Sequence, residues 1–449
     1  MQIDFQHLKE FDVPVPRYTS YPTALSLTEC KAQEVVEFEN ARRPDGPVSL
    51  YFHLPFCQSL CWYCACTKII TNDRSKSRVY LERVRKELQL KKAWFEGRKM
   101  TQLHLGGGTP TFMTTDELAE LLQMTREVIE WAEDAEIGIE IDPRTLDEGD
   151  AFKLAEAGFN RASLGVQDHD PKVQRAIHRI QPLEQTRAAV ESLRAAGFGS
   201  INMDLIYGLP VQTLESFNQT IEDVIALRPD RLAIYSYAHV PWAAPAQKIL
   251  ETRYGLPSAD EKIQLFLLAA QKLDDAGYVH IGMDHFALPE DSLSKALNDQ
   301  TLRRNFQGYS TQAGVEIHGF GMSSISQTDR QYFQNAKELE DWEAAIDSDA
   351  LPVIKRVVLS EEDALRRDII MAIMCSAKLD LDALSGAYGW SADDFQDEWS
   401  QLRVMQDKGL VELEGSTLQV TPVGRFFVRN IAAIFDTYRA AQKGFSKAI

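Results

Sequence analysis

From residue 48 onward, short β-rich runs alternate with longer amphipathic ones. Apolar residues in continuous or period-two runs predict strands at VSLYFHL (48–54), TQLHL (101–105), IGIEI (137–141), RASLGV (161–166), INMDLIY (201–207) and RLAIYSY (231–237). Apolar positions at helical spacing follow each of them, predicting helices over 75–95, 115–132, 149–157, 182–196, 214–227 and 258–276. Thr114-x-x-Glu117 and Ser258-x-x-Glu261 read as capping boxes at two helix starts. Three helices run out in one triplet: Ala157-Gly158-Phe159, Ala196-Gly197-Phe198 and Ala276-Gly277-Tyr278. Glycine there takes the left-handed turn without a Cβ penalty while the aromatic packs back on the helix. Strand-then-helix repeats imply an α/β fold, a parallel sheet with right-handed crossovers.

Such sheets carry their chemistry at the C-terminal ends of the strands. A cysteine loop follows the first strand, GGGTPT (106–111) the second, and Glu140 and Asp142 end the third. Gln167 ends the fourth, Asp204 lies in the fifth, and Ala238-His239 follows the sixth. The run Gly106-Gly107-Gly108-Thr109 is a weak signal alone, lacking the P-loop lysine and the G-x-G-x-x-G spacing. Its glycines would admit close approach of a cofactor. Residues 290–340 read as loop-rich, with Gly308, Gly314, Gly319 and Gly321 beside Arg303-Arg304. From 360 helices dominate, and DKGLVELEGSTLQVTPVGRFFVRN reads as the helix and hairpin of a winged helix.

Composition narrows the class. At 449 residues, 44% hydrophobic and 25% charged, the chain is globular, with room for roughly three domain-sized units. Its 48 Lys and Arg against 66 Asp and Glu leave a charge of −18, which repels polyanions and anionic membranes. From Glu361 onward, 14 acids meet 10 bases, a balance of −4, so the winged helix has no basic footprint and a packing or lid role is expected. Neither a nucleic-acid partner nor a membrane is expected. The start, MQIDFQHLKEF, lacks the cationic and apolar regions of a signal peptide, and the cytoplasm is the expected compartment.

The six cysteines stand at 30, 57, 61, 64, 66 and 375, four of them inside CQSLCWYCAC. Crowded thiols in a chain without an export signal point to soft-metal ligation rather than disulfides. The Cys57-x3-Cys61-x2-Cys64 spacing is neither a zinc ribbon nor a four-cysteine ferredoxin run, and three ligands would leave one iron of a [4Fe-4S] cluster open. A zinc site completed by Cys66 or His53 remains the alternative. Cys30 and Cys375 read as small buried hydrophobes.

The three-cysteine loop, GGGTPT and the six βα units resemble the radical S-adenosylmethionine (SAM) superfamily. A closer resemblance runs through PRYTSYPTA (16–24), YFHLPFCQSLCWYCAC (51–66), EIDPR (140–144), GVQDHDPKVQRAIHRIQ (165–181), DLIYGLP (204–210), YAHVP (237–241), GMDHFALPED (282–291), RRNFQGYSTQ (303–312) and GRFFVRNIAAIFDTY (424–438). Over essentially the whole chain this is similar to the oxygen-independent coproporphyrinogen III oxidases. The resemblance implies a partial (β/α)6 TIM-like barrel over 46–280, an N-terminal extension over 1–45, a loop-rich connection over 281–350 and a mainly helical, winged-helix-like domain over 351–449.

It implies further that Cys57, Cys61 and Cys64 hold a [4Fe-4S] cluster. Tyr51, Gly107, Glu140 and Ile325 match contacts to a first SAM, and Tyr63, Gly108, Thr109, Gln167, Arg179, Asp204 and Ala238 contacts to a second. Beside this stand structural readings: Tyr51 and Ile325 as core residues, and Glu140, Asp204 and Arg179 as an ion-pair network. The family pattern has Phe at Tyr63, Met at Phe320 and an apolar residue at His318. The implied activity converts two propionates of coproporphyrinogen III to vinyl groups through a SAM-derived 5′-deoxyadenosyl radical, giving protoporphyrinogen IX, with an electron donor and acceptor that the sequence does not identify. Four propionates call for arginine forks, and Arg17, Arg303 and Arg304 are the candidates. His53 and His239 are expected to be hydrogen-bonded residues outside the chemistry. A monomer is the implied state. A heme chaperone or heme-processing paralogue on the same fold, and a zinc-dependent regulator, are the competing functions.

Overall fold

Strand β1 (Val48–Leu54) is where the expected pattern is clearest: nearly every position is buried, as a strand covered on both faces requires. It opens a parallel series with β2 (Lys99–Gly107), β3 (Glu130–Ile141), β4 (Arg161–Gln167), β5 (Ser200–Tyr207) and β6 (Arg231–Ser236), neighbours in sequence order. Consecutive parallel order with helical crossovers is the topology of a partial (β/α)6 barrel, as expected. The computed structural model describes residues 11, 13–312 and 314–439, so MQIDFQHLKEF lies almost wholly outside them.

Helices α1 (Ser75–Lys91), α2 (Thr115–Arg126), α3 (Asp150–Ala157), α4 (Leu183–Ala195), α5 (Leu214–Leu227) and α6 (Ala259–Asp275) fall where expected. Both capping boxes form: Thr114 Oγ1 accepts from the Glu117 N–H and Ser258 Oγ from the Glu261 N–H. The Ala-Gly-aromatic triplets close their helices as argued, with Phe159, Phe198 and Tyr278 N–H groups donating back to Leu154, Leu193 and Leu273 carbonyls.

Two expectations need correction. The helix drawn over 115–132 ends at Arg126, because Glu130 and Trp131 pair with Lys99 and Met100 and lengthen β3 backwards. Local periodicity lost there to strand pairing. The segment 290–340 is not loop-rich. It contains a helix (Ser292–Asn298), a hairpin (Arg303–Asn305 with Gly308–Ser310), and strands β7 (Glu316–Phe320), β8 (Ile325–Gln327) and β9 (Gln331–Asn335). Strand β7 pairs parallel with β1 and is buried throughout, while β8 and β9 continue the sheet antiparallel. Its glycines disguised a buried strand as a loop.

Two compact units divide the chain: Thr28–Glu261 with Gly314–Arg356, and Met1–Leu27 with Lys262–Ala313 and Val357–Ile449, as far as these are described. Their cuts differ from the expected boundaries at 45, 280 and 350. The second unit includes helices Glu361–Met371, Leu381–Gly386 and Gln396–Asp407 and a small sheet ordered Lys378–Asp380, Thr417–Val420, Val411–Glu414. Its last two strands pair as an antiparallel hairpin, where the sequence suggested one.

In the first unit, α1 is joined to the β7–β8 turn by a fully buried ion pair. Lys91 Nζ donates to Glu87 (2.7 Å) and to the Gly319 carbonyl (2.6 Å). Glu87 also accepts from Asn335 Nδ2, Trp342 Nε1 and the Gly321 N–H. Removing one partner of such a pair strands a charge, a cost of about 3–5 kcal/mol. Lys91→Met should therefore lower stability in denaturant unfolding by that order, and the double variant Lys91→Met/Glu87→Gln, which removes the stranded charge but turns an amide NH2 toward donors that the carboxylate accepted from, should recover only part of it.

Candidate active site

The cysteine loop leaves the C-terminal end of β1 and is tied down by main-chain bonds. Gly108 and Thr109 N–H groups donate to Leu54 and Phe56 carbonyls, Ile69 to Pro55, Thr71 to Cys57, and Trp62 to Ile177. Lys68 Nζ donates to the Cys64 and Cys66 carbonyls. The fully buried Gln247 amide donates to the carbonyls of Tyr63 (2.7 Å) and Ala238 (3.2 Å), pinning the loop to the segment after β6. The Tyr63 ring packs with Trp62 against Val173, Ile177, Ile206, Leu209, Tyr237 and Leu250.

Each cysteine meets a different environment. Cys57 Sγ lies 3.4 Å from Thr109 Oγ1, and burial pushes its thiol up to about 11. Cys64 is lowered, chiefly by a hydrogen bond with Cys66, whose own thiol is raised by that bond and by the Cys64 charge. Cys61 Sγ accepts from two guanidiniums, Arg144 NH2 and Arg179 NH1, both at 3.7 Å. Asp142 holds both cations: it accepts from Arg144 NH2 (2.6 Å), Arg144 Nε (3.0 Å) and Arg179 NH1 (3.0 Å). Burial works against charge on Asp142, but the two arginines overcome it and keep its carboxyl below the ordinary range.

The glycine run is explained by what a Cβ would meet. At Gly108 it would stand 2.5 Å from the Pro55 carbonyl oxygen. At Gly107, where φ is +117°, it would meet His53 at 2.8 Å, and at Gly106 the Glu140 carboxylate at 2.9 Å. Glu140 accepts from the Gly107 N–H (3.2 Å) and meets His104 Nε2 (3.4 Å), and keeps 44% of its side-chain surface exposed. Burial raises its pKa, but those bonds win and leave it below the usual value. Tyr51 stacks on His104 with ring centroids 6.2 Å apart, and its hydroxyl meets His53 Nδ1.

Asp204 accepts from Asn202 Nδ2 (2.8 Å) and Ser163 Oγ (3.3 Å). Burial first, then the charge of Glu140, raises it to about 7. Arg179, 6% exposed, also donates to the Gly165 carbonyl, and its buried Nε has no hydrogen-bond partner among the described residues. Gln167 ends β4 with φ +69°. Ile325 starts β8, its carbonyl oxygen 2.8 Å from where a Gly319 Cβ would stand. The proposed ion-pair network of Glu140, Asp204 and Arg179 does not form, since Arg179 pairs with Asp142 instead.

The departures at His318 and Phe320 sit on the helix-facing side of β7. They register with Leu50 and Phe52, not with Tyr51, and pack on Phe95 and Phe52. In the second unit, Arg17 is paired with Asp284, Arg304 Nε donates to the Arg17 carbonyl (3.1 Å), and Arg303 is exposed. Arg304 NH1 is buried without a hydrogen-bond partner among the described residues. His239 is engaged by Tyr237 and Glu251.

Sequence reasoning missed Arg144, Asn202, His104 and Gln247 as site residues. EIDPR placed Arg144 two residues beyond Asp142, and strand alternation put His104 and Asn202 on the site face; nothing local marked Gln247. It also missed a polar layer beneath the site, where Gln102 meets Ser49 and Glu136, and Arg161 donates to Glu136.

The donors fit an iron–sulfur cluster better than zinc. His53 is engaged on both ring nitrogens, by Tyr51 and the Thr67 carbonyl, so it is not a spare fourth ligand. Three thiols on one loop match the one-thiolate-per-iron ligation of a cluster that keeps one iron open.

Family matching finds the radical SAM superfamily over residues 51–224 and the HemN C-terminal domain over 359–427. The chain is similar to proteins named oxygen-independent coproporphyrinogen III oxidase: 42% identical to that of Helicobacter pylori over 100% of this chain and 99% of the relative, and 40% to that of Pseudomonas aeruginosa over 97% and 96%. Among solved structures it resembles coproporphyrinogen III oxidase from Escherichia coli, with a TM-score of 0.93 and 39% identity over 98% of this chain and 100% of that one.

Two outcomes follow from this geometry. Gly108→Ala should force Pro55 and the cysteine loop to shift, costing about 1–3 kcal/mol in denaturant unfolding. Asp204 titrates near 7 when folded, against about 3.9 unfolded. Its contribution to stability is full below the unfolded pKa and lost as pH rises through about 7. Stability should thus decline from pH 5 to 8 less steeply in Asp204→Asn than in the unaltered chain.

Proposed function

The chain belongs to the oxygen-independent coproporphyrinogen III oxidase family, and we propose that its strand-end site carries out that family's reaction. It is a radical SAM oxidoreductase that converts two propionates of coproporphyrinogen III to vinyl groups in heme biosynthesis. The observation that carries this reading is the full-length likeness, which spans the cysteine loop and the C-terminal unit alike. Each conversion removes a β-hydrogen from a propionate, releases its carboxylate as CO2 and passes one electron to an outside acceptor.

When bound, the [4Fe-4S] cluster and SAM supply one-electron hydrogen abstraction from an unactivated carbon, chemistry that no side-chain base provides. Cys57, Cys61 and Cys64 hold three irons. Tyr51, Gly107, Glu140 and Ile325 receive the first SAM, where an ionised Glu140 suits a cationic ligand. Tyr63, Gly108, Thr109, Gln167, Arg179, Asp204 and Ala238 receive a second SAM. The unpartnered Nε of Arg179 supports that reading, because a buried guanidinium donor without an acceptor is costly unless a ligand supplies one. Asp204, raised to about 7 by burial, can serve a ligand hydroxyl as carboxyl or as carboxylate.

For the propionates, Arg304 offers a buried donor with no partner among the described residues, whereas Arg17 is already matched by Asp284 and Arg303 faces solvent. A monomeric chain in the cytoplasm, served by an external electron donor, completes the proposal. Among the described residues no helix is long and apolar enough to cross a membrane.

Anaerobic protein reconstituted with iron and sulfide, given SAM, reductant, an extract-derived acceptor and coproporphyrinogen III, should yield a product lighter by two CO2 in mass spectrometry, with 5′-deoxyadenosine. Cys57→Ser, Cys61→Ser and Cys64→Ser should each abolish this and lower bound iron. Stoichiometric heme binding without turnover would instead select the chaperone.

A further inference from the structure

The three cluster cysteines are not treated alike by the protein. Cys57 Sγ meets a neutral hydroxyl and Cys64 its neighbour Cys66. Among the described residues, Cys61 alone has guanidinium donors on its sulfur, from Arg144 and Arg179. Neither arginine reaches it by chance of rotamer. Arg144 follows β3 in a short helical turn, and Asp142 grips its Nε and NH2 together; Arg179 is held by the same carboxylate and by the Gly165 carbonyl. One anion between two cations leaves an excess positive charge beside the sulfur.

Building on the reading of Cys61 as a cluster ligand, we propose that Asp142 and Arg144 are positioning residues that act through Cys61, directing N–H donors onto its sulfur and so raising the cluster's reduction potential. Reduction adds one electron to the cluster, and part of that charge resides on the ligating thiolates. Donors and positive charge at the sulfur stabilise the reduced form more than the oxidised one. Burial strengthens the effect, since the same charges interact more strongly away from water. The arrangement makes the iron at Cys61 electronically distinct from the other two cysteine-bound irons.

The test is potentiometric and needs no turnover. The unaltered protein, Arg144→Met and Arg144→Lys are reconstituted, their iron and sulfide counted, and their midpoint potentials read by EPR without SAM. With the cluster fully loaded, Arg144→Met should shift to a more negative potential by about a tenfold change in the one-electron equilibrium, ~59 mV. Arg144→Lys, which keeps the cation but loses the fork, should fall between. An unchanged or raised midpoint in a fully loaded Arg144→Met protein overturns the proposal. Should that variant lose iron, Arg144→Lys decides alone: a fall in potential supports the proposal, and no change overturns it. If the unaltered chain itself takes up no cluster, the ligand reading fails and this proposal with it, a failure seen in the iron count before any potential is measured.

Discussion

Everything at the site depends on how closely the main chain approaches itself at Gly106–Gly108. Because no Cβ stands there, the Pro55 carbonyl, the His53 ring and the Glu140 carboxylate occupy the space that side chains would take. That packing brings the ends of β1, β2 and β3 together and hangs the cysteine loop from them by paired main-chain bonds. A glycine run is usually read as room for a ligand. Here the room in the Cβ direction is used by the protein itself, and the N–H groups are engaged as well, Gly107's by Glu140 and Gly108's by the Leu54 carbonyl.

The electrostatics follow from this compactness. Ionised groups at the strand ends are arranged in local sets rather than one network: Asp142 with Arg144 and Arg179, Glu140 with His104 and the Gly107 N–H, Asp204 with Asn202 and Ser163. The sets differ in balance. Two arginines hold Asp142 down, whereas Asp204 has only neutral donors and rises. One face of the barrel thus presents, within a few strands, a cationic corner beside a thiol and a carboxylate poised between its protonation states.

The departures from the family pattern lie mostly away from that face. His318 and Phe320 extend the aromatic packing of β7 onto Phe52 of β1 and Phe95 just beyond α1, where Lys91 also lies over the Phe320 ring. Tyr63 keeps an aromatic surface in a hydrophobic cluster, and the loop's position there is held by its carbonyl through Gln247. Substitution on the helix-facing side of a strand alters the support and leaves the identity of the reacting groups unchanged.

The sequence by itself determined the six βα units, their caps and closing triplets, the cysteine loop and the strand ends at which polar residues collect. These rest on local rules: side-chain period, cap chemistry and ligand spacing, all expressed within a few residues. Only the tertiary structure decided that Glu130–Trp131 is strand, that Gly319 sits inside a buried strand, and that Arg179 pairs with Asp142 rather than with Glu140 or Asp204. It alone brought Gln247 to Tyr63 and two arginines to Cys61. Such pairings join residues tens to hundreds of positions apart, and a partner across a sheet or a loop leaves no periodic trace in the chain that carries it.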